Sequence, residues 1–160
     1  MSTANTGQIN ELSADVVDNI QKLHQANIDS VEGFREAAEQ LDDAKLASDF
    51  RNWAEQRHRQ AEELAEIAQS NGELVDVETS WLADLHRAYT SLRSAVSSND
   101  KYAILAEAER GEDHIKQAYE DVLKDTPGSA VNDLLQKQYA QVKATHDEVR
   151  DRRDACKKNC

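Results

Sequence analysis

The sequence predicts an all-α protein, and three observations carry that expectation. Alanine, leucine, glutamate and glutamine, all strong helix formers, dominate it, while glycine (five) and proline (one) are scarce among 160 residues. Apolar residues recur at three- and four-residue steps in five successive stretches, and no stretch alternates with period two. Charged residues make up 31% and hydrophobic ones 39%, in a chain long enough for one domain with a real core.

The first helix is expected from about Ser13 to Leu41, where Val16, Ile20, Leu23, Val31, Phe34, Ala38 and Leu41 form one stripe. Asn27 and Ser30 fall on that stripe, and Glu32 and Glu36 fall opposite it. Asp42-Asp43 ends this helix and can cap the next. The second runs from about Ala44 to Ser70, with Phe50, Ala54, Arg57, Ala61, Leu64 and Ala68 in line, and Asn71-Gly72 closes it. So short a link makes these two helices antiparallel neighbours.

A third, shorter helix is expected from about Val77 to Val96, capped by Asp76 or Thr79, with Trp81, Leu85, Tyr89, Leu92 and Val96 on its apolar face. Ser97-Ser98-Asn99-Asp100 breaks it and caps a fourth, Lys101 to Lys124, in which Leu105, Ala108, Ile115, Tyr119 and Val122 point inward. Asp125-Thr126-Pro127-Gly128-Ser129 is a turn with a helix start built in, since proline suits the first helical position. The fifth helix carries Val131, Leu134 or Leu135, Gln138, Val142, Thr145 and Val149 inward. Two long hairpins separated by residues 71–100 give the topology of a ferritin-like four-helix bundle, with the short third helix as the crossover between them. The expected organisation is a disordered lead-in over 1–12, the bundle over 13–155, and a frayed cysteine-containing tail over 156–160.

Net charge is −12, so the phosphate backbone of nucleic acid would repel the chain. Seven basic against five acidic residues from Ser129 to Cys160 leave that segment at +2 and the remainder at −14. This basic helix end either favours its own dipole or docks an acidic partner. No apolar run approaches the roughly 20 residues of a membrane span. The polar start Met1-Ser2-Thr3-Ala4-Asn5-Thr6-Gly7 has no apolar h-region, so a cytoplasmic protein is expected. Cys156 and Cys160 form no framework for the fold, and one helical turn between them makes an intrahelical disulfide awkward. A reduced pair, a cross-link between chains and a soft-metal site are the alternatives.

Three blocks carry a resemblance to known proteins: Gly33-Phe34-Arg35-Glu36-Ala37-Ala38-Glu39, then Ala103 to Asp113 with Ile104-Leu105-Ala106-Glu107-Ala108-Glu109-Arg110-Gly111-Glu112, then Gln138-Tyr139 with Val142 and His146-Asp147. The chain resembles a bacterial family of ferritin-like four-helix-bundle proteins of unknown function, over nearly everything from Ser13 to Arg153. The resemblance implies the fold and a small stress-associated protein, and it implies no activity.

Ferritin-like di-iron sites need one carboxylate from each of two helices and a Glu-x-x-His pair from each of the other two. Here Glu32 and Glu36 lie on the outer face of the first helix. The second contains Glu55-Gln56-Arg57-His58, yet Arg57 occupies the buried stripe. The fifth has His146 but Lys143 in place of the glutamate, and only the fourth, with Glu109 and Glu112, fits. Counting from the Asp42-Asp43 turn sets Asn27 level with Arg57, and counting from Pro127 sets His146 level with Ala108 and Glu109. The expectation is therefore a buried polar centre of Asn27, Arg57, Glu112 and Gln138, in which Arg57 pairs with Glu112 or Glu109 and needs no ion. The other reading of Arg57 is a side chain that carries its head to water along a helix seam. An isolated glycine inside a helix costs about 1 kcal/mol, so Gly111 marks the close approach of a neighbouring helix, or of Trp or Tyr, at its level.

The function these residues point to is non-enzymatic: a helical bundle acting through self-association or a protein partner, with no cofactor, nucleic acid or membrane. The alternative is a divergent metalloprotein that binds iron or another divalent metal through Glu109, Glu112, His146 and His58.

Overall fold

The computed structural model describes residues 11–72, 74, 79–125 and 130–160, with the side chain of residue 159 set aside. Residues 1–10 of the expected lead-in, Asp76 as a cap, the start of the third helix at Val77 and the turn over 126–129 with Pro127 lie outside the described residues. The described residues form five α-helices and no strand: α1 (Ala14–Gln40), α2 (Ala44–Ser70), α3 (Ser80–Ser97), α4 (Lys101–Asp125) and α5 (Asn132–Asn159). None is long and apolar enough to cross a membrane.

Each of the first four helices starts on a short polar side chain that takes one of the backbone N–H groups a helix leaves unpaired. Ser13 accepts from Val16 N, Asp43 from Leu46 N, Thr79 from Leu82 N and Asp100 from Ala103 N. Two positive backbone angles release the chain between helices: Gly72 (φ 138°) after α2 and Asn99 (φ 57°) between α3 and α4. Asparagine tolerates that left-handed region better than most residues.

The helices pack through the expected stripes. Phe34 of α1 meets Phe50 and Trp53 of α2 and Tyr89 of α3 edge-on, with ring centroids 5.3–5.7 Å apart. Leu23, Leu64, Leu85, Leu92, Leu105 and Ile115 are also fully buried in the same core. Truncating a ring such as Phe34 to alanine removes about 3–5 kcal/mol of packing. Helices α1 and α2 pair in reverse order, Phe34 with Phe50 and Ser30 with Arg57. Helices α2 and α5 do likewise, with Gln60 at Gln141, Gln56 at Thr145 and Asp49 at Arg152. Between α1 and α3 the order is parallel, Ser30 with Tyr89 and Glu36 with Arg93.

Two features differ from the sequence expectation. Helix α5 spans Asn132–Asn159, and its register on α4 differs from the expected one by about one turn. His146 faces Asp113 rather than Ala108 and Glu109, and Tyr139 faces Glu120. At its C-terminal end α5 stays helical to Asn159 instead of fraying from Cys156. Cys156 is buried there, and its sulfur is joined to that of Cys160.

Candidate functional site

At mid-length the core turns polar, because Arg57 lies in line with Phe50, Ala54, Ala61 and Leu64 and cannot avoid the interior. Its guanidinium is fully buried and grips Glu112 of α4 with both ends, Nη1 to Oε2 at 2.8 Å and Nη2 to Oε1 at 2.6 Å. This fork-on-fork geometry is the strongest arrangement of the pair. The Tyr89 hydroxyl of α3 donates to the same Oε2 at 3.1 Å, so it must accept the hydrogen of Ser30 Oγ, 2.8 Å away. Ser30 of α1 in turn accepts from Arg57 Nη1 at 3.4 Å. Arg57, Ser30, Tyr89 and Glu112 thus form a closed ring of hydrogen bonds, with one residue from each of four helices.

Room for this ring comes from two glycines. A Cβ on Gly111 would stand 2.9 Å from Tyr89 Cζ, and one on Gly33 would stand 2.6 Å from Tyr89 Cγ. Both are closer than side chains approach one another, so the tyrosine reaches Glu112 only because α1 and α4 are bare where it passes.

A second polar layer adjoins the first. Asn27 Nδ2 donates to Leu23 O at 2.8 Å and to the Tyr119 hydroxyl at 2.9 Å, and Tyr119 donates to Gln138 Oε1 at 2.7 Å. Gln138 Nε2 then donates to Glu63 Oε1 at 2.9 Å and to the backbone oxygen of Gln60. This chain runs α1, α4, α5, α2, so the two layers together tie every helix. Arg57 Nε and Asn27 Oδ1 are buried without a hydrogen-bond partner.

The electrostatics follow from burial and pairing. Burial works against the charge of Arg57, but the adjoining Glu112 carboxylate outweighs it and raises the guanidinium pKa. Burial raises the Tyr89 hydroxyl, and the Glu112 charge raises it further; burial does the same to Tyr119. The two layers therefore hold one fixed cation, one fully buried carboxyl group, Glu112, with Glu63 at the edge, and two phenols that keep their protons.

Asn27, Arg57, Glu112 and Gln138 are all fully buried. Arg57 does not reach water, and its partner is Glu112 rather than Glu109. Glu109 instead forms an ion pair with Arg153, Oε2 to Nη1 at 2.7 Å. His146 stands in the α4–α5 seam, with Nε2 2.6 Å from Asp113 Oδ1 and Nδ1 3.0 Å from Asp147 Oδ1. His58 is half-exposed and faces Glu62. The structure does not bring Glu109, His146 and His58 to Glu112, since helix phase turns His58 outward and the slipped register sets Asp113 before His146. Among the described residues no three His, Cys, Asp or Glu side chains cluster as metal ligands do.

In the sequence Tyr89 and Tyr119 read only as inward-facing residues of apolar stripes, and periodicity does not mark their hydroxyls as members of the centre. Gly111, costly inside a helix, signals the close approach, and Gly33 carries the matching signal. Two glycines on different helices, level with one aromatic, are the sign of a ring passing between them.

A family model described as "Domain of unknown function (DUF2383)" matches residues 15–125. The match takes in the whole ring of Ser30, Arg57, Tyr89 and Glu112, while Gln138 and the cysteines of α5 lie beyond it. No curated protein and no solved structure matches.

Proposed function

The chain belongs to the family described as a domain of unknown function (DUF2383), and we propose that it is a non-enzymatic, ferritin-like helical bundle. In this reading α1, α2, α4 and α5 form the bundle, α3 is the crossover, and an internal ion pair stands where such folds keep metals. The helix order supports it. α1–α2, α2–α5 and α4–α5 pair in reverse, and α3 lies parallel to α1, which returns the chain so that α4 runs in the direction of α2. The protein acts through its helix surfaces, by self-association or by binding a protein partner. The stress-associated role rests on the family resemblance alone.

The observation that carries this reading is the fully buried Arg57–Glu112 fork. A metal needs anionic ligands with free lone pairs. Both Glu112 oxygens are taken by Arg57 and one also by Tyr89, and the permanent guanidinium charge balances the carboxylate. The test is metal analysis of untagged protein after exposure to iron(II), manganese(II) and zinc(II), followed by desalting. The expected result is no stoichiometric ion in a protein that stays helical. A stoichiometric ion that disappears in Glu112→Ala overturns the reading in favour of a metalloprotein using Glu109, Glu112, His146 or His58. Sedimentation over a wide concentration range then asks whether the chain associates with itself.

A further inference from the structure

Among the described residues five buried side-chain atoms lack a hydrogen-bond partner: Asn27 Oδ1, Asp49 Oδ2, Arg57 Nε, Gln60 Oε1 and Glu107 Oε2. Two of them still face an opposite charge, Asp49 Oδ2 against Arg152 and Glu107 Oε2 against Arg110. The other three face none, and buried polar groups are rarely left so. All three belong to buried residues of the polar centre, Asn27 and Arg57 at 0% exposure and Gln60 at 1%.

They also come together in the fold. Helices α1 and α2 are antiparallel, and Phe34 packs on Trp53 while Ser30 bonds Arg57. Just under one further turn along each helix brings Asn27 level with Gln60. The second polar layer joins the same two residues: Asn27 donates to Tyr119, Tyr119 to Gln138, and Gln138 to the backbone oxygen of Gln60. What each side chain has left follows from its other bonds. Asn27 directs both amide hydrogens to Leu23 O and Tyr119, so only its oxygen remains. Gln60 turns its amide nitrogen to Gln141, and its oxygen stays buried. Arg57 commits its terminal nitrogens to Glu112 and Ser30, so its Nε–H remains at the side of the guanidinium.

One donor and two acceptors thus border the junction of the two layers. We propose that this junction is a binding site for a single water molecule, which accepts from Arg57 Nε–H and donates to Asn27 Oδ1 and Gln60 Oε1. The charges beside it select the ligand. The Arg57 guanidinium repels a cation, and two amide oxygens with the Glu112 carboxylate repel an anion. A neutral molecule that takes one hydrogen and gives two satisfies all three groups, and three bonds are usual for a buried water. Bound there, the water makes the ring and the second layer one network and ties α1 to α2 a turn beyond Ser30. This site rests on the geometry of the two layers and not on what the helix surfaces bind.

The test is a high-resolution crystal structure of the full chain, read beside oxygen-17 relaxation dispersion, which counts waters held longer than the protein tumbles. One isolated density peak is expected about 2.5–3.2 Å from Arg57 Nε, Asn27 Oδ1 and Gln60 Oε1. In solution, Asn27→Val with Gln60→Met leaves a single partner, fewer than a buried water needs, and should lower the dispersion amplitude by one water. Gln141→Met removes only the outer bond of Gln60 and should keep that water. Gln60→Met alone removes one bond to the water, whose exchange should quicken by about 2–10-fold. A Gln60 amide reversed so that its nitrogen bonds Asn27 Oδ1 directly, no density at the junction, or an amplitude unchanged in the double variant would each overturn the proposal. Should the double variant lose its helical spectrum, the crystal density and Gln60→Met decide.

Discussion

Arg57–Glu112 and Arg93–Glu36 are the same chemical pair in two settings. The first joins α2 to α4 with neither side chain exposed; the second joins α3 to α1 with side chains 40% and 44% exposed. In water the outer pair trades hydration for contact at nearly equal free energy, and salt screens what remains. Inside the bundle each charge has lost its hydration, so each depends on the other and on Ser30 and Tyr89 around it. Removal shows the difference: an outer partner left alone is solvated, whereas an inner one is stranded.

The largest effect expected is therefore at the centre. Arg57→Met or Glu112→Gln alone should lower unfolding stability by about 3–5 kcal/mol in urea titrations. The double variant, which strands no charge, should melt no lower than either single one. If the two losses simply add, the pair is not coupled and the ring is wrongly drawn.

Next comes the space that admits Tyr89. Gly33→Ala gains about 1 kcal/mol of helix propensity, yet its methyl would meet the tyrosine near its own backbone, where nothing flexible can yield. Overpacking costs of about 1–3 kcal/mol should win, so thermal melting should show a net loss. A more stable Gly33→Ala protein would mean that Tyr89 does not pass there.

An intermediate case sharpens the contrast. Burial acts to raise the Asp49 pKa, but hydrogen bonds from Lys45 and Arg152 outweigh it and hold the carboxyl below its usual range. A group whose folded pKa is depressed stabilises the fold above its unfolded pKa, about 3.9, and loses that contribution as pH falls through the folded value. Asp49→Asn should cost about 1 kcal/mol at neutral pH. The gap between the two melting curves should close below about pH 4. A gap that persists at acid pH would assign the loss to packing rather than charge. Smallest of all, Arg93→Gln should change stability by less than about 0.5 kcal/mol, and that little should vanish in high salt. A loss as large as that of Arg57→Met would erase the distinction.

Much of this was legible because helices impose a phase. The stripe through Phe50, Ala54, Arg57, Ala61 and Leu64 fixes which way Arg57 points before any neighbour is known, and the short Asp42-Asp43 link fixes its level on α1. The α4–α5 level is legible to no better than about a turn, because helical phase repeats with every turn of sliding. His146 consequently went to Asp113 and Glu109 to Arg153. Tyr89 was legible only as an apolar-face residue, since periodicity reports that a side chain is inward and says nothing of what its hydroxyl meets.

By itself, then, the sequence determined the five helices, the capping segments of three of them, their inward faces and the entry of an arginine into the core. All of these depend on neighbours within a few turns of the same helix or across one short link. Only the tertiary structure decided that Glu112 rather than Glu109 receives Arg57, that Tyr89 closes the ring between two glycines, and that Cys156 is buried at the end of the bundle where α1 turns into α2. Those choices depend on how far one helix slides along another, and a slide of one turn preserves every helical pattern while exchanging every partner.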